Sequence, residues 1–198
     1  MIGCLPESLE VCGVERPIRS DYRNVLQVFE MFDDPDFDQR DKWEMAIYLI
    51  FADFSCADDV EAAVLEGFDV NEAAERLIWF ISAGDMSGRE KQLPVYSWVK
   101  DEQMIFSAVN KVCSGREVRS DPYIHWWTFL GYFNEVGEGT FSFVVGIRDK
   151  LNKGKKLEKH EQEFYRKNRD LVDMRPPMTE EERRAEEEYN ALLDEVLG

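Results

Sequence analysis

The sequence contains few of the residues that hold metals or form disulfides, because only four of its 198 residues are cysteine and two are histidine. The cysteines are scattered without a Cys-x-x-Cys pair, at Cys4, Cys12, Cys56 and Cys113. The amino terminus also lacks the basic start and apolar run of a secretion signal. We therefore expect free thiols, no metal site and no cofactor.

Long apolar runs are absent and basic residues are outnumbered. No segment approaches the roughly 18 to 20 apolar residues that a membrane span requires. Lys and Arg number 24 against 41 Asp and Glu, a net charge of −17 that repels phosphate backbones. We expect neither a membrane nor a nucleic acid as partner, and a protein that stays in the cytoplasm where it is made.

The chain does contain enough apolar material for a core, with 44% hydrophobic and 13% aromatic residues. The pattern predicts a mainly α fold: a compact multi-helix domain with a short N-terminal β-hairpin and a C-terminal acidic amphipathic helix. We assign residues 1–172 to the domain, with the hairpin in 1–19 and helices over 20–172. We predict that residues 173–198, which contain the Pro-Pro linker at 176–177, form a separate acidic C-terminal helix.

Local signals place the individual elements. Residues 9–18 alternate apolar and polar around Cys12-Gly13 and predict the hairpin, with Pro17 blocking further strand pairing. Capping residues and apolar spacings of three and four predict the helices. Their expected ranges are about 21–32, 38–54, 57–66, 71–82, 101–112, 121–133, 140–148 and 157–172.

Two of these helices carry specific expectations about their buried faces. In the second, the predicted apolar face consists of Trp43, Ala46, Ile47, Ile50, Phe51 and Phe54. Lys42, Glu44 and Tyr48 are expected to point elsewhere. In the fourth, the predicted face consists of Ala74, Leu77, Ile78 and Ile81.

The most unusual segment is the aromatic stretch at residues 121–133, in which Asp121 is the expected N-cap and Pro122 the first helical residue. Adjacent tryptophans point about 100° apart on a helix, so we assign Trp126 to the core and Trp127 to its boundary. Trp127 can therefore be a structural residue or part of a binding surface. We interpret His125 as a core or boundary residue with satisfied ring nitrogens.

A short pattern at residues 113–120 has the Cys-x5-Arg-Ser spacing of tyrosine phosphatases. We reject that match, because the glycine is misplaced, no histidine precedes the cysteine, and the upstream pattern is helical. A base for Cys113 supplied by His125 is equally unsupported, since proximity in sequence is not geometry. The sequence thus predicts a protein that is not an enzyme.

Charge is segregated near the carboxyl terminus. Residues 150–170 hold eight Lys or Arg against four acids, a net charge of +4, whereas residues 178–198 hold eight acids against two Arg, a net charge of −6. We call these the basic segment and the acidic arm. The arm opens with a capping box at Thr179 and Glu182, and its apolar seam consists of Ala185, Tyr189, Leu192, Leu193 and Val196. The basic segment is either a solvated face or a clamp for the arm, which folds back on its own chain or is swapped with another subunit.

The order of features resembles the gene-product-fifteen family of siphophage proteins over residues 5–171. The resemblance rests on the hairpin, Ser20-Asp21-Tyr22-Arg23, the helix around Trp43, the Asp101-Glu102 helix start, His125-Trp126-Trp127-Thr128-Phe129, residues 143–148 and Glu163-Phe164-Tyr165-Arg166-Lys167. Genes of this family usually lie between those for the major tail protein and the tape-measure protein. The resemblance implies a chaperone-like tail-assembly role, in the host cytoplasm and without catalytic residues.

Expected partners are the tape-measure protein, other tail proteins, or further copies of the chain. The candidate contact residues are Trp127, Tyr189, Leu192, Leu193 and Val196. Two alternatives stay open, namely a virion structural or head-to-tail adaptor protein and a small cytoplasmic enzyme or regulator.

Overall fold

The computed structural model describes residues 3–86 and 93–174, together with the single positions Thr179 and Arg184. Within these residues the protein has one β-hairpin and nine α-helices, which confirms the mainly α fold class. Apart from those two positions, the acidic arm lies outside the described residues, and so do Glu182 of its capping box and the candidates Tyr189, Leu192, Leu193 and Val196. The boundary at residue 172 between the helical domain and the C-terminal helix stays a prediction.

The elements follow one another in chain order with short connections. They are β1 Ser8–Val11, β2 Val14–Pro17, α1 Tyr22–Asp33, α2 Gln39–Ile50, α3 Ala57–Leu65, α4 Val70–Ile81, α5 Glu102–Val112, a 3-10 turn at Val118–Ser120, α6 Trp126–Asn134, α7 Thr140–Asn152, α8 Lys159–Lys167 and α9 Arg169–Val172.

The hairpin forms where the alternation predicts it. Cys12 and Gly13 both have positive φ, +53° and +72°, as a two-residue hairpin turn requires. Leu9 and Val11 face the core. At the turn, the Cys12 amide donates to the Glu72 carboxylate at 3.0 Å, which ties the hairpin to α4.

Aspartates begin three of the helices. The carboxylates of Asp21, Asp38 and Asp69 accept hydrogen bonds from backbone amides in the first turns of α1, α2 and α4. A carboxylate there satisfies orphan amides and complements the positive end of the helix dipole. The acidic composition is thus used directly in helix initiation.

Helix α2 is shorter than expected, and its Lys42 is buried rather than outward-facing, at 6% exposure. The helix ends at Ile50 because Phe51 takes an extended conformation. Phe51 and Phe54 nevertheless reach the core from the segment after the helix, where both contact the ring of Phe68 edge-on.

In α4 the predicted face is wrong in part. Leu77 is buried as expected, but the other buried residues are Ala73 and Phe80, while Ile78 is 43% exposed. The inward side is turned by about one residue because the helix packs against both the hairpin and α2. Ala74 and Ile81 lie at its margin, half-buried.

The predicted helix at 157–172 is two helices. Asn168 leaves helical geometry at φ −133° and ψ 41°, and its side-chain amide donates to the Phe164 carbonyl at 2.9 Å. Helix α9 then packs on α7. The break lets Val172 enter a small core with Val144, Ile147 and Leu157, next to the main core.

Candidate interaction surfaces

His125 begins helix α6, in place of the expected cap Asp121. Its Nδ1 accepts the Trp127 amide at 3.0 Å, and its Nε2 contacts the Pro6 carbonyl oxygen at 3.0 Å. These contacts place the ring proton on Nε2, where it donates to Pro6. His125 is 3% exposed, which confirms a core residue with satisfied nitrogens and leaves no free base.

Asp121 is wrong as a cap, because Ile124 and His125 pair with Asp21 and Tyr22 at the start of α1 and α6 begins only after them. The Ile124 amide donates to the Asp21 carboxylate at 3.1 Å, and the Tyr22 amide donates to the Ile124 carbonyl at 2.9 Å. The Asp121 carboxylate instead pairs with Arg116 at 2.9 Å.

The two adjacent tryptophans close the end of another helix. The Trp126 indole N–H donates to the Ile81 carbonyl and the Trp127 indole N–H donates to the Phe80 carbonyl, both at 2.8 Å. These carbonyls belong to the last turn of α4, which lacks a basic residue of its own. The His-Trp-Trp motif therefore fixes the α4–α6 junction, a structural role.

Trp127 also has an outward side. Its ring is half-buried and meets the Trp79 ring edge-on, with centroids 5.3 Å apart. The core assignment of Trp126, at 1% exposure, and the boundary assignment of Trp127 are confirmed. A contact between Trp127 and a partner stays a prediction.

The carboxyl ends of α1 and α2 are closed by long cations from other elements. Lys42 Nζ donates to the Phe32 carbonyl at 2.8 Å. Arg19 donates to the carbonyls of Tyr48, Phe51 and Phe54 at 2.6 to 2.7 Å. Neither helix has a basic residue in its last turn, so these donors satisfy orphan carbonyls and complement the helix dipole.

Arg148 closes α9 in the same way and is held by a buried acid. Its guanidinium donates to the carbonyls of Leu171 and Val172, each at 2.7 Å, and forms a bidentate pair with Asp101. Asp101 occupies the N-cap position of α5 as expected, but its carboxylate does not cap the helix. This pair could not be predicted from the sequence. Its two residues lie 47 positions apart, and no local pattern links charges at that separation.

A groove with an apolar floor runs along α5. Met104, Ala108 and Val112 lie four residues apart on one side of the helix, half-buried. The opposite wall runs from Val136 to Phe141 and consists of the connection before α7 and the first two residues of that helix. The groove has a volume of about 520 Å³ and is open to solvent. Its row of apolar side chains at helical spacing suits the ridge of a second helix.

A second groove, of about 420 Å³, lies between α1 and α5. Its wall includes Tyr22, whose buried hydroxyl has no hydrogen-bond partner in the described parts of the chain. Burial raises the pKa of Tyr22, so the hydroxyl keeps its proton as a donor. The flanking Arg23 and Arg119 are already paired with Asp21 and Glu117.

The phosphatase-like spacing does not form a phosphate cradle. Cys113 ends helix α5, and the chain then turns through Ser114 and Gly115 with positive φ. The guanidinium of Arg119 is bound to Glu117 at 2.9 and 3.0 Å. All four cysteines are free thiols, as expected.

Residues 3–86 and 93–174 contain neither a metal-binding cluster nor a helix suited to a membrane. No group of three His, Cys, Asp or Glu side chains in this part of the protein is placed to hold a metal ion. No helix within it has the length and apolarity to cross a bilayer.

Among known proteins, a family model matches this chain, but no individual protein does. The model of the family described as "Bacteriophage Gp15 protein" matches residues 1–174. No curated protein matches the chain, and no solved structure matches it. The family match thus covers the hairpin and all nine described helices, and it ends before the acidic arm.

Proposed function

Because this chain belongs to the bacteriophage Gp15 family, we propose that it is a non-enzymatic tail-assembly protein. In this proposal it acts in the host cytoplasm as a chaperone-like partner of the tape-measure protein or of another tail protein. The observation that carries the proposal is the groove along α5, with its floor of Met104, Ala108 and Val112.

A tape-measure protein is a long helical chain with exposed apolar stripes. An apolar groove receives such a stripe when the client presents side chains at spacings of three and four residues. The net charge of −17 on this chain keeps the assembled complex soluble and repels neighbouring complexes. We favour the α5 groove over the one beside Tyr22, because its floor is a row of three apolar side chains at helical spacing.

The first experiment is co-expression of the full chain with the tape-measure protein of the same phage, followed by affinity capture and mass measurement of the soluble complex. We expect a defined complex and a larger soluble fraction of the tape measure. An aggregated tape measure with no captured complex would contradict the proposal. Recovery of this chain from purified phage particles would instead support the virion-structural alternative.

A charge placed in the groove tests where the client binds. Ala108→Glu puts a carboxylate on the groove floor, and we expect at least a tenfold loss of affinity for the tape measure. The matched control is Ala62→Glu, the same change at an exposed position of α3. Equal affinities of the two variants, both folded by circular dichroism, would exclude the groove.

The other candidate contacts are tested in the same assay. Leu192→Glu combined with Leu193→Glu removes the centre of the arm's seam, and we expect loss of client binding with the domain still folded. Trp127→Phe probes the exposed side of α6. Unchanged binding by either variant would remove those residues from the interface.

Cys113→Ser addresses the enzyme alternative. We expect the variant to bind the client as the wild type does.

A further inference from the structure

The basic segment is the positively charged part of a strongly acidic chain. Residues 1–149 carry 28 Asp or Glu against 13 Lys or Arg, a net charge of −15, whereas residues 150–170 carry +4 and the arm at 178–198 carries −6. Most of the protein therefore repels the arm. We propose that the acidic arm docks on the basic segment of its own chain.

The basic segment has cations available for such a contact. Lys150 and Lys153 are already paired, with Glu161 and Asp149. Six others are exposed and form no ion pair with any residue that the structure describes. These are Lys155, Lys156, Lys159, Arg166, Lys167 and Arg169.

The end of the described domain is anchored beside these cations. The Tyr165 hydroxyl of α8 donates to the Asp173 carboxylate at 2.8 Å. The Lys100 ammonium donates to the Asp173 carbonyl, and Arg148 holds the carbonyls of Leu171 and Val172. The chain thus leaves the domain next to α8, at a fixed point.

This anchoring favours docking in cis. Only four residues, at 174–177, separate Asp173 from the arm, and two of them are proline, which adds about 3.1 Å per residue in an extended linker. Helix α8 has nine residues and is about 13 Å long. The arm therefore meets the cations of its own chain at an effective concentration in the millimolar range.

An apolar surface lies beside the cations. The half-buried rings of Phe143 and Phe164 meet edge-on with centroids 5.0 Å apart, and His160 stacks on Phe143. The seam that includes Leu192 and Leu193 would cover these rings while the arm's acids face the lysines. Docking then shields the seam until a competitor displaces it. This inference needs no client, so it stands or falls independently of the proposed function.

Cross-linking of the full chain with a zero-length carbodiimide tests the contact, because this reagent joins only carboxylates and amines that touch. We expect Lys155, Lys156 and Lys159 to link to Glu186, Glu187 and Glu188 at low salt, and at least a fivefold loss of these links in 1 M NaCl. Links from the arm spread evenly over lysines of the whole chain would overturn the proposal.

A charge swap makes the test specific. Lys155→Glu, Lys156→Glu and Lys159→Glu together should abolish the links, and adding Glu186→Lys, Glu187→Lys and Glu188→Lys should restore them with the sites exchanged. The control reverses three exposed cations elsewhere, Arg40, Arg76 and Lys111, and should keep the links. A control that loses them equally, or a swap without recovery, would contradict the docking site.

An equal mixture of unlabelled and 15N-labelled protein separates the same chain from a second copy. Docking in cis gives cross-linked peptide pairs in which both members carry the same label. Mixed-label pairs in statistical proportion would show that the arm binds another copy, which overturns the proposal of docking in cis.

Discussion

Arg148 and Asp101 form a buried, bidentate ion pair that joins α7 to the start of α5. The guanidinium nitrogens lie 2.5 and 2.9 Å from the two carboxylate oxygens, and the side chains are 3% and 0% exposed. The remaining Arg148 donors bind carbonyls of Val95, Leu171 and Val172. Such a pair tolerates burial because every charge has a partner. It also fixes α9, the last described helix before the arm.

Arg148→Met should therefore destabilise the protein strongly. The change leaves the Asp101 charge buried without its cation and the carbonyls of α9 without donors, for which a loss of about 3–5 kcal/mol is expected. Urea unfolding monitored by circular dichroism measures it. Lys153→Met, at an exposed pair with Asp149, should change stability by less than about 1 kcal/mol. Similar losses of unfolding free energy in both variants would show that the Arg148–Asp101 pair does not stabilise the protein.

The indole caps of α4 give a graded prediction. Trp127→Phe removes the donor to Phe80 but keeps an aromatic ring, and we expect a loss of about 1–2 kcal/mol. Trp126→Phe also leaves a void in the core, so the loss should reach about 2–4 kcal/mol. Trp43→Phe is the control, because the Trp43 indole N–H has no partner among the residues that the structure describes. If Trp127→Phe cost no more than Trp43→Phe in thermal unfolding, the capping role would be refuted.

Ala83 should gain stability on mutation to glycine. It has φ +52° at the end of α4, where its amide donates to the Phe80 carbonyl and the Gly84 amide donates to the Trp79 carbonyl. This left-handed position favours glycine, so Ala83→Gly should add about 0.5–1 kcal/mol. Ala62→Gly within α3 should subtract a similar amount. Differential scanning calorimetry compares the two, and a destabilised Ala83→Gly would refute the expectation.

Glu117 should contribute a defined pH dependence. Its hydrogen bond from the Arg119 side chain, followed by that from the Arg119 amide, lowers the Glu117 pKa from 4.5 to about 2. Because the folded-state pKa lies below the unfolded one, the stabilisation is present above about pH 4.5 and is lost as the pH falls through about 2. Carboxyl NMR titration measures the pKa directly.

The stability difference between the wild type and Glu117→Gln isolates this contribution from those of the other acids. We expect the difference to be constant from pH 7 to about pH 5 and to shrink at lower pH. A Glu117 pKa near 4.5 by NMR, or a difference that grows on acidification, would contradict the assignment.

Local patterns predicted most elements because their signals lie within a few residues. Asp21 and Asp38 start α1 and α2 where predicted, and Cys12-Gly13 forms the hairpin turn. Predictions failed where contacts with residues distant in the sequence set the start or the buried side of a helix. The start of α6 moves to His125 because Ile124, just before it, is hydrogen-bonded to Asp21 and Tyr22 at the start of α1. The buried side of α4 turns because it packs against both the hairpin and α2.

One of the candidate surfaces could be predicted from the sequence, and the other could not. Trp127 could be placed at a boundary from helix geometry alone, whereas the groove along α5 requires the wall at Val136–Phe141, which only the folded chain supplies. The sequence by itself determined the helical class, the hairpin and the separation of charge, since each depends on local spacing or composition. The family was recognisable from the sequence through its resemblance to known members, which the family match confirms.

Only the tertiary structure decided how the helices end. Helices α1, α2 and α4 contain no basic residue in their last turns, so their orphan carbonyls are satisfied by Lys42, Arg19 and the two tryptophans from elsewhere in the chain. Each donor lies at least ten residues from its acceptor. Such pairs form when packing brings them together, and no short-range pattern encodes them.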